Sequence, residues 1–168
     1  QIYGLTKGQT SPRSAAGFVT KSTPGGAIEP SLKPLEVALT AGATFVAQGF
    51  STDIKELTAL IEAGLNHKGF SFINVFSPCV TYNKVNTYDW FKENLTKLSD
   101  IEGYDSSNRQ LAMQTVMQRE GLVTGIVYHD KETKSYQEKV VGYSEIPLTD
   151  IDISLSEDQF DQLVKEFM

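Results

Sequence analysis

Between residues 34 and 76 the hydrophobic pattern switches between continuous apolar runs and helical spacing. The runs Thr44–Gly49 and Phe70–Phe76 are short and nearly unbroken, which is typical of strands covered on both faces. Before the first run, Pro34–Leu39 predicts a short helix, because proline suits the first helical turn and Gly42 suits the end.

A longer helix is predicted between the two strands. Three consecutive residues, Ser51, Thr52 and Asp53, are suitable N-caps for it, and Gly69 predicts a left-handed end after the basic His67–Lys68 pair. Apolar residues recur along this helix at spacings of three and four, namely Ile54, Leu57, Leu60, Ile61 and Leu65. The order helix, strand, helix, strand predicts an α/β fold with a parallel sheet.

The remaining segments are less regular. Residues 1–33 are rich in glycine and proline, which predicts loops rather than helices or strands. We predict helices over about 88–98 and 107–120, a strand over 122–128, irregular chain over 129–150, and a final amphipathic helix over 156–167. Ser156 and Gln159 have the spacing of a capping box at the start of that final helix.

Composition and charge narrow the class of protein. The chain has 168 residues, 40% of them hydrophobic, which is typical of a globular fold. Its net charge of -6 disfavours binding to nucleic acid, and the sequence contains no apolar run long enough to cross a membrane. The single cysteine cannot form an internal disulfide and fits a reducing, cytoplasmic location.

Two loops are candidates for chemistry. The first, Ile2–Pro12 (IYGLTKGQTSP), has two glycines, several hydroxyl groups and Lys7, so it can bring backbone N–H groups close to a phosphate. An ordinary turn-rich connection is the alternative interpretation.

The second loop, Ser77–Asn83 (SPCVTYN), follows a predicted strand, and ligands of open α/β sheets gather at the carboxyl ends of strands. Cys79 in this loop can be a nucleophile, a metal ligand or a small buried apolar residue. A catalytic Cys–His pair would require His67 or His129.

The two loops, in this order and separation, resemble the beta subunit of the 2-oxoacid:ferredoxin oxidoreductases, and are most similar to the 2-oxoglutarate type. The resemblance also includes the segments PLEVALTAGATFVAQGF, FSFINVFSPCVTYN and NTYDWFKENL, and more loosely YDSSNRQLAM and GIVYHD. It implies the C-terminal part of a thiamin-diphosphate-binding domain over residues 1–100 and a C-terminal extension, of mixed structure, over 101–168. It also implies that the amino-terminal half of such a subunit is missing here.

The resemblance further implies three cofactors in the intact enzyme: thiamin diphosphate, Mg²⁺ and a [4Fe–4S] cluster. The carbonyl of Ile2 would be one Mg²⁺ ligand, and Cys79 would be one of four cluster ligands. The cofactor-binding residues would be Ile2, Tyr3, Gly4, Leu5, Thr6 and Cys79. Leu5 would lie near the thiazolium carbon, where pyruvate-type relatives tend to carry a polar residue, and this favours a longer 2-oxoacid.

The function that the resemblance implies is oxidative decarboxylation of a 2-oxoacid, with 2-oxoglutarate favoured, to an acyl-CoA. Electrons would pass through the cluster to ferredoxin, and the partners would be an alpha subunit, ferredoxin, CoA and the 2-oxoacid. Because most ligands of the Mg²⁺ ion and the cluster lie outside this chain, we expect the isolated chain to be inactive. The alternatives are pyruvate or another 2-oxoacid as substrate, and a non-catalytic α/β interaction module.

Overall fold

The computed structural model describes residues 1–140 and 142–167, which divide into two compact units. The first unit covers Gln1–Ser135, and the second begins at Tyr136. The first unit contains β1 (Ile2–Tyr3), β2 (Gln9–Thr10), α1 (Pro34–Thr40), β3 (Phe45–Phe50), α2 (Ile54–Asn66), β4 (Ser71–Phe76), α3 (Tyr88–Asn94), β5 (Thr96–Lys97), α4 (Arg109–Gln118) and β6 (Val123–His129). The boundary predicted at residue 100, between the thiamin-diphosphate-binding domain and the C-terminal extension, stays a prediction.

A four-stranded sheet in the order β4-β3-β6-β5 forms the centre of the first unit. Strands β3 and β4 are parallel, with Phe45 paired to Ser71 and Phe50 to Phe76, so the predicted α/β unit over residues 34–76 is confirmed. Strand β6 runs antiparallel to β3, and the sheet as a whole is mixed. Strand β6 lies within residues 101–168, the extension that was predicted to have mixed structure.

Helices cover both faces of the sheet. Alternate residues of β3 point to opposite faces, and each set packs against helices on its own side. Val46 packs in a cluster with residues of α1 and α4, among them Leu39 and Val116. On the other face, Phe45 and Ala47 pack against Leu60 of α2. All six residues of β3 are buried, as its continuous apolar run predicts.

Strand β4 differs from its prediction. It lies at the edge of the described sheet, and five of its six residues are only half-buried. The apolar run at 70–76 was predicted to be covered on both faces, and Phe70, just before the strand, is instead exposed. The hydrophobic pattern describes residue types but does not specify which strand occupies the edge.

Helix α2 begins as predicted and ends differently. The Asp53 carboxylate accepts a hydrogen bond from the Glu56 backbone N–H, so Asp53 is the N-cap among the three predicted candidates. The helix ends at Asn66, and His67 is extended, so the predicted left-handed end at Gly69 is wrong. Glycine is required at position 69 for a different reason: a Cβ there would overlap the hydroxyl of Thr44.

The later elements of the first unit are close to their predictions. Helix α3 ends at Asn94, four residues before the predicted end, because the chain turns into β5. Helix α4 and strand β6 lie within one or two residues of the predicted ranges, and β5 pairs in parallel with β6.

The second unit contains a one-turn helix, α5 (Tyr136–Lys139), a 3₁₀ turn over Leu148–Asp150 and helix α6 (Glu157–Glu166). Helix α6 has the predicted capping box: the Ser156 hydroxyl accepts from the Gln159 N–H, and the Gln159 side chain accepts from the Ser156 N–H. Within the described residues, no helix has the length and apolar content that a bilayer span requires.

Candidate functional site

Two loops of the first unit lie against each other, and glycines allow this close approach. Loop A is defined as residues 1–14, and loop B as residues 77–86, directly after the carboxyl end of β4. A Cβ on Gly4 would lie 2.9 Å from the Sγ of Cys79, and a Cβ on Gly8 would lie 2.8 Å from the Cβ of Tyr82. Such distances are shorter than real contacts, so loop B packs onto the bare backbone of loop A.

A tight turn shapes the start of loop A. The N–H of Gly8 donates to the Tyr3 carbonyl at 2.9 Å, and the N–H of Lys7 donates to the Gly4 carbonyl at 3.1 Å. Lys7 and Gly8 both have positive φ, 70° and 92°, and β1 pairs antiparallel with β2 on either side of the turn. Consequently the tip of the turn, Leu5 and Thr6, projects into solvent, and the Leu5 side chain is 100% exposed.

Hydroxyl groups hold the base of loop A in place. The side chains of Ser11 and Ser14 both donate to the Gln1 carbonyl, at 2.7 and 2.6 Å. Ser14 is almost completely buried, at 2% exposure. The sequence pattern showed only that hydroxyl-bearing residues are frequent in this loop, and the structure shows that these two stabilise the loop rather than face a ligand.

Loop B is a compact turn around its cysteine. The Cys79 carbonyl accepts hydrogen bonds from the N–H groups of Tyr82 and Asn83. The buried Asn83 side chain then accepts from the N–H groups of Val85 and Asn86. Asn83 therefore orders the loop as it enters α3, a role that the sequence analysis did not assign.

A cavity of about 100 Å³ lies between the two loops. Its walls are formed by Gln1, Ile2, Val75, Ser77, Pro78, Cys79, Asn83, Asn86 and Phe91. Ile2 and Cys79, the two residues that were predicted to contact metals, thus line the same space. Two of the six predicted site residues, Ile2 and Cys79, therefore line the cavity, and a third, Gly4, packs against Cys79.

Arg13 is a second residue that sequence reasoning missed. Its guanidinium lies over the ring of Phe76, the last residue of β4, with Cζ 5.6 Å from the ring centroid. The Nε and Nη1 atoms are inaccessible to solvent and have no hydrogen-bond partner among the described residues. Burial lowers the pKa of Arg13 from its ordinary value. The positive charge of Arg13 therefore lies within loop A, no salt bridge to it is seen among the described residues, and no sequence motif marks it.

The two histidines do not lie near Cys79. The rings of His67 and His129 are 5.2 Å apart, and both contact Phe45 at the amino end of β3. Cys79 follows Phe76, which pairs with Phe50 at the other end of β3. A six-residue strand is about 17–20 Å long. The structure thus separates Cys79 from both histidines, and a catalytic Cys–His pair is not formed.

The side chains of the described residues supply few of the ligands that a metal centre requires. Among the described residues, no three His, Cys, Asp or Glu side chains come close enough together to hold a metal ion. Cys79 is the only cysteine of the chain, and a [4Fe–4S] cluster requires four thiolates in its usual form. The described residues therefore fit a single ligand to a cluster and do not form a complete metal centre.

Comparison with known proteins identifies the class to which this loop arrangement belongs. Residues 1–75 match the family described as the thiamine pyrophosphate enzyme C-terminal binding domain. Residues 79–145 match the C-terminal family of the pyruvate ferredoxin oxidoreductase beta subunit. Loop A lies in the first match and Cys79 begins the second, so the cavity lies between the two matched segments. The first unit has the fold of the C-terminal part of a thiamine pyrophosphate enzyme.

Individual relatives specify the family further. A 2-oxoacid:ferredoxin oxidoreductase beta subunit from Sulfolobus is 33% identical over 149 residues, covering 83% of this chain and 49% of that protein. The 2-oxoglutarate oxidoreductase subunit KorB of Mycobacterium tuberculosis is 42% identical over 83 residues, covering 49% of this chain and 22% of that protein.

A solved structure agrees with these relatives. It is the 2-oxoglutarate:ferredoxin oxidoreductase from Magnetococcus marinus with 2-oxoglutarate, coenzyme A and succinyl-CoA bound. It aligns with a TM-score of 0.72 and 37% identity, over 79% of this chain and 45% of that one. The chain is homologous to the beta subunits of the 2-oxoacid:ferredoxin oxidoreductases and spans about half the length of the Sulfolobus subunit.

Proposed function

We propose that the chain forms the C-terminal part of a beta subunit that oxidises a 2-oxoacid, with 2-oxoglutarate favoured, in a thiamin-diphosphate-dependent reaction. The observation that carries the proposal is the packing of loop A onto loop B, with Gly4 against Cys79 and Ile2 in the shared cavity. This packing brings the segment related to thiamine pyrophosphate enzymes next to the single thiol. The names of the relatives, which include KorB subunits, support the choice of substrate.

Loop A is suited to hold the diphosphate. Leu5 and Thr6 are at the tip of its turn, and their backbone N–H groups have no acceptor among the described residues. Free N–H groups in a turn with left-handed residues form an anion-binding concavity, and the exposed Lys7 adds a positive charge. We assign the Ile2 carbonyl as one ligand of the Mg²⁺ ion that accompanies the diphosphate. Tyr3 and Gly4 are assigned to the wall of the diphosphate site.

Bound thiamin diphosphate would supply a nucleophilic thiazolium carbon for attack on the 2-oxo group. The chain's own contribution is positional: loop A binds the diphosphate, and Leu5 presents an apolar surface to the substrate. Cys79 serves as one ligand of a [4Fe–4S] cluster, because a thiolate in a turn stiffened by Pro78 is a soft donor held at a defined place. The other three ligands would come from outside this chain.

The proposed partners follow from the reaction and the cofactors proposed above. An alpha subunit would complete the enzyme, CoA would accept the acyl group, and ferredoxin would accept the electrons. A cytoplasmic location is part of the proposal, since cluster and thiol require reducing conditions.

The experiment for the cluster is Cys79→Ser in the enzyme assembled from the complete beta subunit and its alpha subunit. We expect iron and acid-labile sulfide to fall substantially and ferredoxin reduction with 2-oxoglutarate to be lost. Val80→Ala, in the same loop and partly exposed, is the control and should retain both. Unchanged iron in the Cys79 variant would contradict the ligand assignment, and a wild-type enzyme without 2-oxoacid oxidation would favour a non-catalytic module.

The substrate assignment is tested at Leu5. Replacing this fully exposed apolar side chain by asparagine should lower the ratio of kcat/KM for 2-oxoglutarate to that for pyruvate, whereas Leu5→Ile should preserve the ratio. Because the side chain makes no packing contribution in the chain itself, the melting temperature should stay the same in both variants. An unchanged ratio would remove Leu5 from the substrate site.

The 168-residue chain by itself is expected to be inactive. It supplies one thiol and one backbone carbonyl toward the metals, and Mg²⁺ requires a nearly complete octahedron of oxygen ligands. Calorimetric titration of this chain with thiamin diphosphate and Mg²⁺ should show no binding. A stoichiometric isotherm would show that the chain holds a complete cofactor site.

A further inference from the structure

Loop B contains an amide side chain, that of Asn86, whose orientation is fixed by its neighbours. The Oδ1 atom of Asn83 accepts hydrogen bonds from the backbone N–H groups of Val85 and Asn86, at 2.9 and 3.0 Å. Only the oxygen of an amide side chain can accept, so these two bonds assign Nδ2 of Asn83 as a donor. That Nδ2 group donates to Oδ1 of Asn86 at 3.3 Å. The oxygen of Asn86 is therefore turned toward Asn83, and its Nδ2 group is turned away.

The backbone on both sides of this amide is also held in place. Asn83 is buried, and its backbone N–H donates to the Cys79 carbonyl at 2.9 Å. Directly after Asn86, the Thr87 side chain caps α3 by accepting from the Trp90 N–H. Asn86 thus lies between a turn that is bonded to the cysteine and the first turn of a helix, which fixes its position relative to the thiol.

The Asn86 amide and the Cys79 thiol line the same cavity. Both residues are among those that surround the space of about 100 Å³ between loops A and B. The Nδ2 group of Asn86 has no acceptor among the described residues. Of the described residues that line the cavity, none has a Lys, Arg, His, Asp or Glu side chain. Negative charge placed in this cavity would therefore be stabilised by N–H and O–H donors rather than by cationic side chains.

We propose that Asn86 donates a hydrogen bond to a sulfur of the [4Fe–4S] cluster bound through Cys79, and thereby raises the reduction potential of the cluster. This inference rests on the proposed function, which supplies the cluster. Reduction adds one negative charge to the cluster, and an N–H donor stabilises the more negative state more strongly.

The effect bears on the electron transfer of the proposed reaction. Conversion of a 2-oxoacid and CoA to an acyl-CoA and CO₂ releases two electrons and one proton, and the electrons pass through the cluster to ferredoxin one at a time. A donor that favours the reduced cluster makes each transfer from the substrate more favourable and each transfer to ferredoxin less so. Asn86 acts here as a positioning residue and not as a ligand.

Two substitutions at Asn86 separate the donor from the loop structure. Asn86→Asp keeps an oxygen for the Asn83 amide but removes the N–H donors and adds a negative charge. Asn86→Ala removes the amide without adding charge. Both would be studied in the enzyme assembled from the complete beta subunit and its alpha subunit, by redox titration monitored with electron paramagnetic resonance (EPR).

The expected result is a graded fall in potential. At the wild-type midpoint, the ratio of reduced to oxidised cluster should fall by about threefold or more in Asn86→Ala. It should fall by about tenfold or more in Asn86→Asp, because the added charge acts in the same direction. Iron content should stay at the wild-type level in both variants, in contrast to Cys79→Ser, because the cluster ligand is unchanged.

Asn66→Asp is the matched control. It makes the same chemical change with the same added charge, at an exposed residue that ends α2. This position lies at the amino end of β4, whereas Cys79 follows the carboxyl end, and the strand between them is about 17–20 Å long. Solvent and salt screen a charge at that distance, so the ratio should stay within about 1.5-fold of wild type.

Pulsed EPR of the reduced wild-type enzyme tests the hydrogen bond directly and requires neither activity nor a variant. With ¹⁵N in the side-chain amides of asparagine, we expect a weak coupling between an amide nitrogen and the cluster. The coupling should be lost in Asn86→Asp.

The absence of this coupling in wild type would overturn the proposal, as would a coupling that persists in Asn86→Asp. Equal potentials of wild type and Asn86→Asp, or an equal fall in Asn66→Asp, would also overturn it. If Asn86→Asp were to lose its iron, the wild-type spectrum would decide.

The proposed function is judged by a different result. Iron that is retained in Cys79→Ser would contradict the cluster assignment itself. If Cys79→Ser loses its iron and the Asn86 variants keep the wild-type potential, only the inference about Asn86 is wrong.

Discussion

The α-carbon of Gly4 lies directly against the side chain of Cys79, so that a Cβ at position 4 would be 2.9 Å from Sγ and 3.1 Å from Cβ. The two residues belong to loops that are far apart in the sequence, and the backbone of loop A at Gly4 and Gly8 meets the side chains of Cys79 and Tyr82 in loop B. The position of the single thiol is thereby coupled to the conformation of loop A.

Gly4→Ala should disrupt this contact. The added methyl group requires loop A or loop B to shift, and we expect a loss of about 1–3 kcal/mol in the free energy of unfolding. Urea denaturation would measure it. Gly25→Ala is the matched control, because position 25 has ordinary φ and a methyl group added there would have no atom within 4 Å, so this variant should be neutral. Restoration of stability in Gly4→Ala/Cys79→Gly would assign the loss to this contact, and equal stability of Gly4→Ala and wild type would contradict it.

Gln48→Leu should be strongly destabilising. This fully buried side chain donates to the carbonyls of Gly121 and Val123, at 2.7 and 2.6 Å, and accepts from the amide of Asn74. Leucine would leave these groups buried without partners, at a cost of about 2 kcal/mol or more. Thermal or urea unfolding would measure the loss, with Gln110→Leu at an exposed position of α4 as control. A loss no larger than in that control would show that water replaces the network.

Tyr104→Phe should remove about 1 kcal/mol of stability, because the Tyr104 hydroxyl donates to the Val127 carbonyl of β6. Burial, with a smaller contribution from Asp105, raises the pKa of Tyr104 to about 12. Ultraviolet difference titration should therefore show one tyrosine that ionises well above pH 10 in wild type and is missing in the variant. Tyr136→Phe, at a highly exposed position, should change neither quantity. A high-pH transition that persists in Tyr104→Phe would contradict this assignment.

Stability should fall as the pH drops below about 6.5, the ordinary value for histidine. Burial is the main cause that lowers the pKa of both His67 and His129; the charge of the other histidine adds to this at His67, and Lys131 adds to it at His129. Asp130 opposes the shift at both rings. Because the folded-state pKa is lowered, the unfolded chain binds protons first, so the stability present above 6.5 is lost as the pH falls through the lower folded value.

The chain contains only these two histidines, so His67→Asn/His129→Asn removes every imidazole. The melting temperature of this variant should vary less between pH 5 and 7 than that of wild type. The carboxylates with lowered pKa, such as Asp53, titrate below this window. An equally steep pH dependence in the double variant would assign the effect to other groups.

Local sequence pattern determined the elements whose signals are contained in a few neighbouring residues. Ser156 was recognisable as a cap, and Asp53 as one of three adjacent candidates, because a capping side chain bonds to an N–H two or three residues away. The helix–strand–helix–strand order over 34–76 followed from apolar spacing within each element. The motifs around Gly4 and Cys79 were also visible in the sequence, and family resemblance connected them.

Only the tertiary structure decided how these elements meet. Strand β6 pairs antiparallel with β3, and β4 is left at the sheet edge, because pairing depends on contacts between residues far apart in the chain. Gly69 looked like a helix end but is required by the close approach of Thr44. The same physical reason governs Gln48 with Gly121 and His67 with His129: the partner of each lies on another element, so its position depends on the packing of the whole unit.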